Sequence, residues 1–405
     1  MKQTYTRTLT ACYTGYVVQA VINNFTPLLF LTFHNAYQIS MGSITLLITI
    51  NFLIQLLIDA FSAGLINRIG YRTSLVLAHA GAALGLVCLT VLPEVFPTPY
   101  AGLLLSVVIC AVGGGLLEVM LSPVVEALPT GNKEKTMSML HSFYCWGHVA
   151  TVLISTLFFA VFGLEHWKLM ALLWALVPLC NLFAFLRAPL CTLEGDGEKG
   201  FSFRELIRRP AFWVILLLMA CAGASEQAVS QWASTFAEQG LGVSKTIGDL
   251  AGPMLFAVCM GTSRLLYGLY GHLLDLRRAM TASGILCVIA YCMISLSPVP
   301  ALSFAGCGIC GFSVGIMWPG AFSIGAAVLK GGGTLMFALF ALAGDLGCSG
   351  GPTLVGFLSE HAGNNLKAGI QWAVIFPLLL AVGVLLVQKI QDAQEVQDAR
   401  AKEHI

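Results

Sequence analysis

Charge is scarce in this chain: Lys, Arg, Asp and Glu make up 10% of its 405 residues, and the two signs balance to +1. So few charged groups cannot cover the surface of a water-soluble protein of this size. The near-zero balance also excludes the broad basic field that holds nucleic acid. Domain-sized polar stretches are lacking too; the longest inside the chain is CTLEGDGEKGFSFRELIRRP, from Cys191 to Pro210. The 13 cysteines show neither the paired spacing of a secreted disulfide framework nor a metal-ligand pattern, and nearly all lie in apolar sequence as small packers. No disulfide, metal site or cofactor is expected. A nucleophile–base–acid set and a phosphate loop are missing as well, which argues against an enzyme.

What is abundant is apolar sequence, 57% of the residues with a mean hydropathy of +0.84. Runs of at least about 17 apolar residues can cross a bilayer as helices. Six lie near Tyr13–Leu31, Ile44–Ile66, Leu75–Leu92, Leu103–Ala127, Met137–Phe162 and Leu169–Leu186. Six more lie near Phe212–Phe236, Ile247–Gly271, Met280–Leu296, Ala301–Leu329, Thr334–Leu358 and Leu366–Val387. Transmembrane strands need only about ten residues and alternate polar with apolar, whereas these runs are apolar on nearly every side. The pattern predicts an all-α membrane protein with twelve transmembrane helices, its lipid partner being the bilayer itself.

One set of connections carries Arg68, Arg72, Lys133, Lys135, Arg187, Arg204, Arg208, Arg209, Arg277, Arg278 and Lys330, while the other carries only Lys168, Lys245 and Lys367. The excess marks the cytoplasmic side, so both termini are expected there, in a multi-pass cell membrane protein with a bacterial plasma membrane as the expected setting. The first run is too long, and lacks a small-residue cleavage site, to be a removable signal peptide. The polar stretch divides the chain into a first six-helix bundle (1–187), a linker with a short surface helix (188–209), a second bundle (210–390) and a charged tail (391–405).

Weak internal repetition joins the halves. ICAVGGGLLE from Ile109 matches ICGFSVGIMW from Ile309, which sets Glu118 over Trp318. A similar offset sets TMSMLHSFYCWGH from Thr136 over TLMFALFALAGD from Thr334, and the turns NRIGYR and LLDLRR fall at equivalent places. Two parallel repeats imply a pseudo-twofold axis along the membrane normal and a central site near the midplane.

The basic turn GLINRIGYR resembles the signature after the second helix of the major facilitator superfamily, with Asn67 where an acid is usual. ASEQAVSQWASTFAEQGLGVS from Ala224, GTSRLLYG from Gly261, GIMWPGAF and LAGDLGCSGGPTLVGFL are similar to the sugar-transporting branch containing the proton-coupled fucose permeases. The resemblance implies alternating access, in which two pseudo-symmetric bundles rock about a central site. By position in the fourth helix, Glu118 resembles the carboxylate that couples protons in that branch. The branch's other coupling acid has its counterpart in the INNF run, where this chain has Asn23 and Asn24. A cytoplasmic latch formed by Arg68, Arg72, Asp275, Arg277 and Arg278 is implied likewise.

A charge at a helix centre costs at least about 2.5 kcal/mol, so each needs a partner, a proton or water. Glu118 and Asp345 are the expected proton carriers, with Asp345 able instead to pair with Arg264 or to bind sodium. Gln19 and Asn23, four apart on one helix face, are expected to meet a solute's hydroxyls together with Asn24. Glu226, Gln227, Gln231 and Trp232 are expected to grip or gate it, Trp232 by ring stacking. His141, Tyr144 and Trp318 complete the expected substrate set. Asp59, Gln55 and Asn51 form a polar stripe on the second helix, with Asp59 toward its cytoplasmic end and assigned to contacts between the halves. The leading expectation is proton-coupled uptake of a neutral sugar or similar small polar solute, with Na+ as the other candidate ion. The alternatives are proton-driven efflux of amphipathic or cationic compounds and a sensor that binds without transporting.

Overall fold

The computed structural model describes residues 3–403 apart from 130–132, 191–200, 272–273 and 330–332. Side chains of 3–4, 62–65, 67, 133–135, 138, 333–334 and 391–403 are likewise outside the description, so the departure at Asn67 lies outside it too. Every described element is helical. Among the described residues, twelve helices are long and apolar enough to cross a membrane: α1 Tyr5–Tyr37, α2 Met41–Phe61, α3 Tyr71–Val95, α4 Pro99–Glu126, α5 Met139–Phe162 and α6 Leu164–Arg187 in the first half. The second half supplies α7 Pro210–Gly240, α8 Lys245–Tyr270, α9 Leu276–Leu296, α10 Pro300–Val328, α11 Leu335–His361 and α12 Leu366–Ile390.

Their ends follow from local chemistry. Proline opens α4, α7 and α10 at the first helical position, where no N–H is needed. Ser40 caps α2 by accepting from Ser43, and Asn365 caps α12 by accepting from Lys367. The short linker helix falls at Phe203–Ile207 behind a Ser202/Glu205 capping box. The main difference from the apolar runs is α1, which reaches beyond its run at both ends because its outer turns are polar yet helical. Pro27 breaks α1 into a 3-10 turn at Thr26–Leu29, and α7 and α10 are interrupted near Trp232 and Ile316.

Packing repeats between the halves. Close neighbours α1 with α5, α2 with α4, α3 with α4 and α3 with α6 are matched by α7 with α11, α8 with α10, α9 with α10 and α9 with α12. Across the junction, α2 meets α11 and α5 meets α8, again an equivalent pair. The chain thus forms two pseudo-symmetric six-helix bundles. α1, α4, α7 and α10 are the most buried, at 61–78% of their apolar cores against 39–50% for the others, so they line the centre. Outward faces carry Leu84, Val161, Leu176, Phe183, Leu265 and Leu386, an apolar surface suited to acyl chains.

Small residues set the closest approaches. α7 crosses α11 at Gly347, where a Cβ would lie 1.9 Å from the Ala220 carbonyl oxygen. No other residue permits that distance, so the two backbones meet there directly.

Candidate functional site

The junction encloses a cavity of about 120 Å³. α1 contributes Tyr16, Gln19 and Asn23, which share a face because they stand at i, i+3 and i+7. Phe52 and Gln55 come from α2, Glu118 from α4, His141 and Tyr144 from α5, Glu226 and Gln227 from α7, Arg264 from α8, Trp318 from α10, and Asp345 and Cys348 from α11. Of the polar members, Tyr16 was not expected at the site at all, and Gln55 was expected only as part of the stripe on α2.

Three polar groups organise the wall and the layer behind it. In the first, Asp59, Glu118 and Asp345 bring one carboxylate oxygen each within 4.8 Å of one another. Glu118 Oε2 also accepts from Gln19 Nε2 at 2.8 Å. The second is an amide network: Gln55 Nε2 donates to Asn23 Oδ1 at 2.8 Å, Asn51 Nδ2 to the same oxygen at 3.3 Å, and Gln231 Nε2 to Gln227 Oε1 at 3.1 Å. The third is an ion pair, Arg264 Nη2 to Glu226 Oε2 at 3.2 Å, with Gln227 Nε2 donating to Glu226 Oε1 at 3.3 Å.

The expected pair of Asp345 with Arg264 is corrected by this arrangement. Arg264 turns to Glu226 and donates through Nε to the Gly315 carbonyl at 3.3 Å, beside the interruption of α10. Asp345 faces the first half instead. Sequence places a residue at a depth along its helix, whereas its partner depends on the helix's rotation, which packing decides. Asp59 bonds Asp345 of the other half and stands level with Glu118, among the central acids.

Three residues expected at the substrate stand behind the cavity lining rather than on it. Trp232 is fully buried, donates through Nε1 to the Pro352 carbonyl at 2.9 Å and packs against Phe30, so neither ring face is open to a ligand. Asn24 donates to the Ala20 carbonyl and bonds the side chain of Tyr144 on the cavity wall, and Gln231 reaches the Asn23 carbonyl at 3.1 Å beside a smaller crevice. Among the residues assigned to the latch, Arg72 donates to the carbonyls of Phe185, Leu186 and Ala188 in its own half. Asp275 caps α9 by accepting from Arg277 and Arg278, and Arg68 is exposed.

A polar seam joins the halves on the face opposite the two termini, and the sequence reading missed its main members. Lys245 Nζ donates to the Leu28 carbonyl at 2.6 Å and lies 3.0 Å from Asp249 Oδ2. Asp249 also accepts from Ser234 and from Thr156 of the other half. Thr49 and Thr353 meet at 2.6 Å, and Ser349 donates to the Thr49 carbonyl at 3.4 Å. The overlooked signal was Lys245 and Asp249 at i, i+4, with Asp249 inside an apolar run. Tyr16 was also missed; it bonds Ser122 at 3.0 Å and shares the helix face of Gln19.

The family model of the Major Facilitator Superfamily matches residues 12–352. The chain belongs to that superfamily. By sequence, no curated protein matches it. Among solved structures, this superfamily member is similar to a bacterial homologue of the human lysosomal transporter Spinster in an inward-facing, occupied conformation, at TM-score 0.76 and 14% identity, over 96% of this chain and 98% of that one. The unoccupied form of that homologue gives TM-score 0.75 at 13% identity over 96% and 98%. The E. coli fucose:proton symporter FucP gives TM-score 0.62 at 17% identity, over 95% and 99%. The shared architecture is that of a multi-pass membrane transporter.

Proposed function

We propose that this chain is an alternating-access carrier that takes up a small neutral polar solute, a sugar or a compound like it, together with protons. The observation that carries the reading is the meeting of Asp59, Glu118 and Asp345 beside the amides of Gln19, Asn23, Gln55 and Gln227. The guanidinium of Arg264 on the cavity wall is committed to Glu226. Three carboxylates at that spacing in a low-dielectric site repel strongly, so they hold exchangeable positive charge between them. The amides offer donors and acceptors to hydroxyls, and Trp318 and Tyr144 offer ring faces. This hydrogen-bonding wall fits a polar cargo better than an amphipathic drug.

Orientation follows from the basic residues on the terminus-bearing face, which set it in the cytoplasm. The polar seam then closes the outer side, as befits an inward-facing state, the state named for both Spinster homologue structures. FucP moves fucose with protons, and at 17% identity it supports this reading only through the shared fold.

Reconstituted vesicles test it. Glu118→Gln is expected to abolish concentrative uptake under an imposed pH gradient while sparing exchange of labelled for unlabelled cargo. Undiminished gradient-driven uptake by the variant would refute the role.

A further inference from the structure

The central acids have the spacing of a coordination shell. Oxygens on opposite sides of an ion held at about 2.4 Å, the distance typical of calcium-sized cations, stand about 4.8 Å apart. The oxygens of Asp59, Glu118 and Asp345 fall within that span. Acidic residues alone would not make a site, but Gln19, whose amide is bonded to Glu118, sets a buried neutral oxygen beside them. Gln19 is only 2% exposed, its Nε2 is bound to Glu118, and its Oε1 is buried without a hydrogen-bond partner. Asp59 Oδ1 is also buried and unpartnered. A buried amide oxygen lacking a donor is uncommon because its desolvation is uncompensated; a hard cation supplies the missing partner.

We propose that Asp59, Glu118, Asp345 and the Gln19 carbonyl form a sodium site straddling the two halves, where Na+ takes the place of the exchangeable proton. The inference rests on reading these carboxylates as carriers of exchangeable charge. A monovalent ion fits because an ion bound by both halves must leave in each cycle, which requires weak binding. Other titratable groups on the wall do not supply the charge: Glu226 and Arg264 satisfy each other, and His141 stands on α5 against Tyr16. Asp345 belongs to one half and the other three ligands to its partner half, so the shell is complete only when the halves present them together. Ion occupancy and rocking are therefore thermodynamically linked.

The test is the melting temperature of the purified full-length protein, titrated with sodium chloride against choline chloride at matched ionic strength, in mildly acidic and mildly alkaline buffer. Sodium is expected to raise it saturably, with higher apparent affinity in alkaline buffer, where protons compete less. Asp345→Asn and Gln19→Leu are expected to weaken the apparent affinity by about tenfold or more. Equilibrium binding of radioactive sodium to the unaltered protein provides a readout that does not depend on variants folding. Equal melting in sodium and choline at both pH values, or no saturable sodium binding, overturns the site. A saturable shift with calcium chloride but not sodium chloride overturns the monovalent assignment. Uptake driven by a pH gradient in sodium-free vesicles tests the proton reading separately, since its failure alongside intact sodium binding counts against proton driving alone.

Discussion

Arg264 and Glu226 hold each other in a cavity wall where each side chain is less than a fifth exposed. Removing one member leaves the other charged and without its counter-ion, which costs up to about 3–5 kcal/mol. Glu226→Gln is therefore expected to lower the melting temperature in detergent, and Glu226→Gln with Arg264→Gln to recover most of the loss. Thermal unfolding of the two variants beside the parent checks this; equal losses would show that the pair does not act as a unit. At this scale the sequence was informative about who and poor about with whom. Glu118, Asp345, Glu226 and Arg264 stand out as charges in apolar runs, and all reach the cavity. Their partners were not legible, because apolar residues surround these helices on every side and leave no stripe to show which way each helix is turned. Trp232 illustrates the same gap: its depth and type suggested a sugar-stacking ring, yet rotation about α7 sends it into the packed seam.

Among elements, the crossing of α7 and α11 makes a sharper demand than hydrophobicity does. Gly347→Val is expected to reduce the yield of folded, monodisperse protein sharply, because its Cβ would fall on the Ala220 carbonyl. Gly350→Ala, three residues on in the same helix, meets nothing within 4 Å and is expected to be neutral or slightly stabilising. Size-exclusion profiles of the two variants decide it, and equal profiles would remove the close approach as a constraint. All twelve helices were legible from length and hydropathy, because lipid requires each spanning backbone to satisfy its own hydrogen bonds. The interruptions were only partly so. Pro27 announces the break in α1, while nothing around Trp232 in the sequence marks the break in α7.

For the whole molecule, the seam bonds the two halves on the face opposite the termini, and opening that face requires it to part. Thr49→Cys combined with Thr353→Cys places two thiols where the hydroxyls now touch at 2.6 Å. Oxidation is expected to trap this state and stop transport, and reduction to restore it. Unchanged flux in fully cross-linked protein would mean that α2 and α11 do not separate during the cycle. The two-bundle plan was legible from the repeat, since equivalent segments such as those around Glu118 and Trp318 do reach equivalent central places. The seam was not, because it joins residues far apart in the chain that no local pattern connects.

Three of the seam's bonds end on main-chain oxygens of the first half, at Asn23, Leu28 and Thr49, with donors from Gln231, Lys245 and Ser349. A peptide carbonyl is present whatever residue carries it. The accepting half can thus drift in its side chains at these positions without losing its grip on the donating half, and mutational tolerance along the seam should be lopsided.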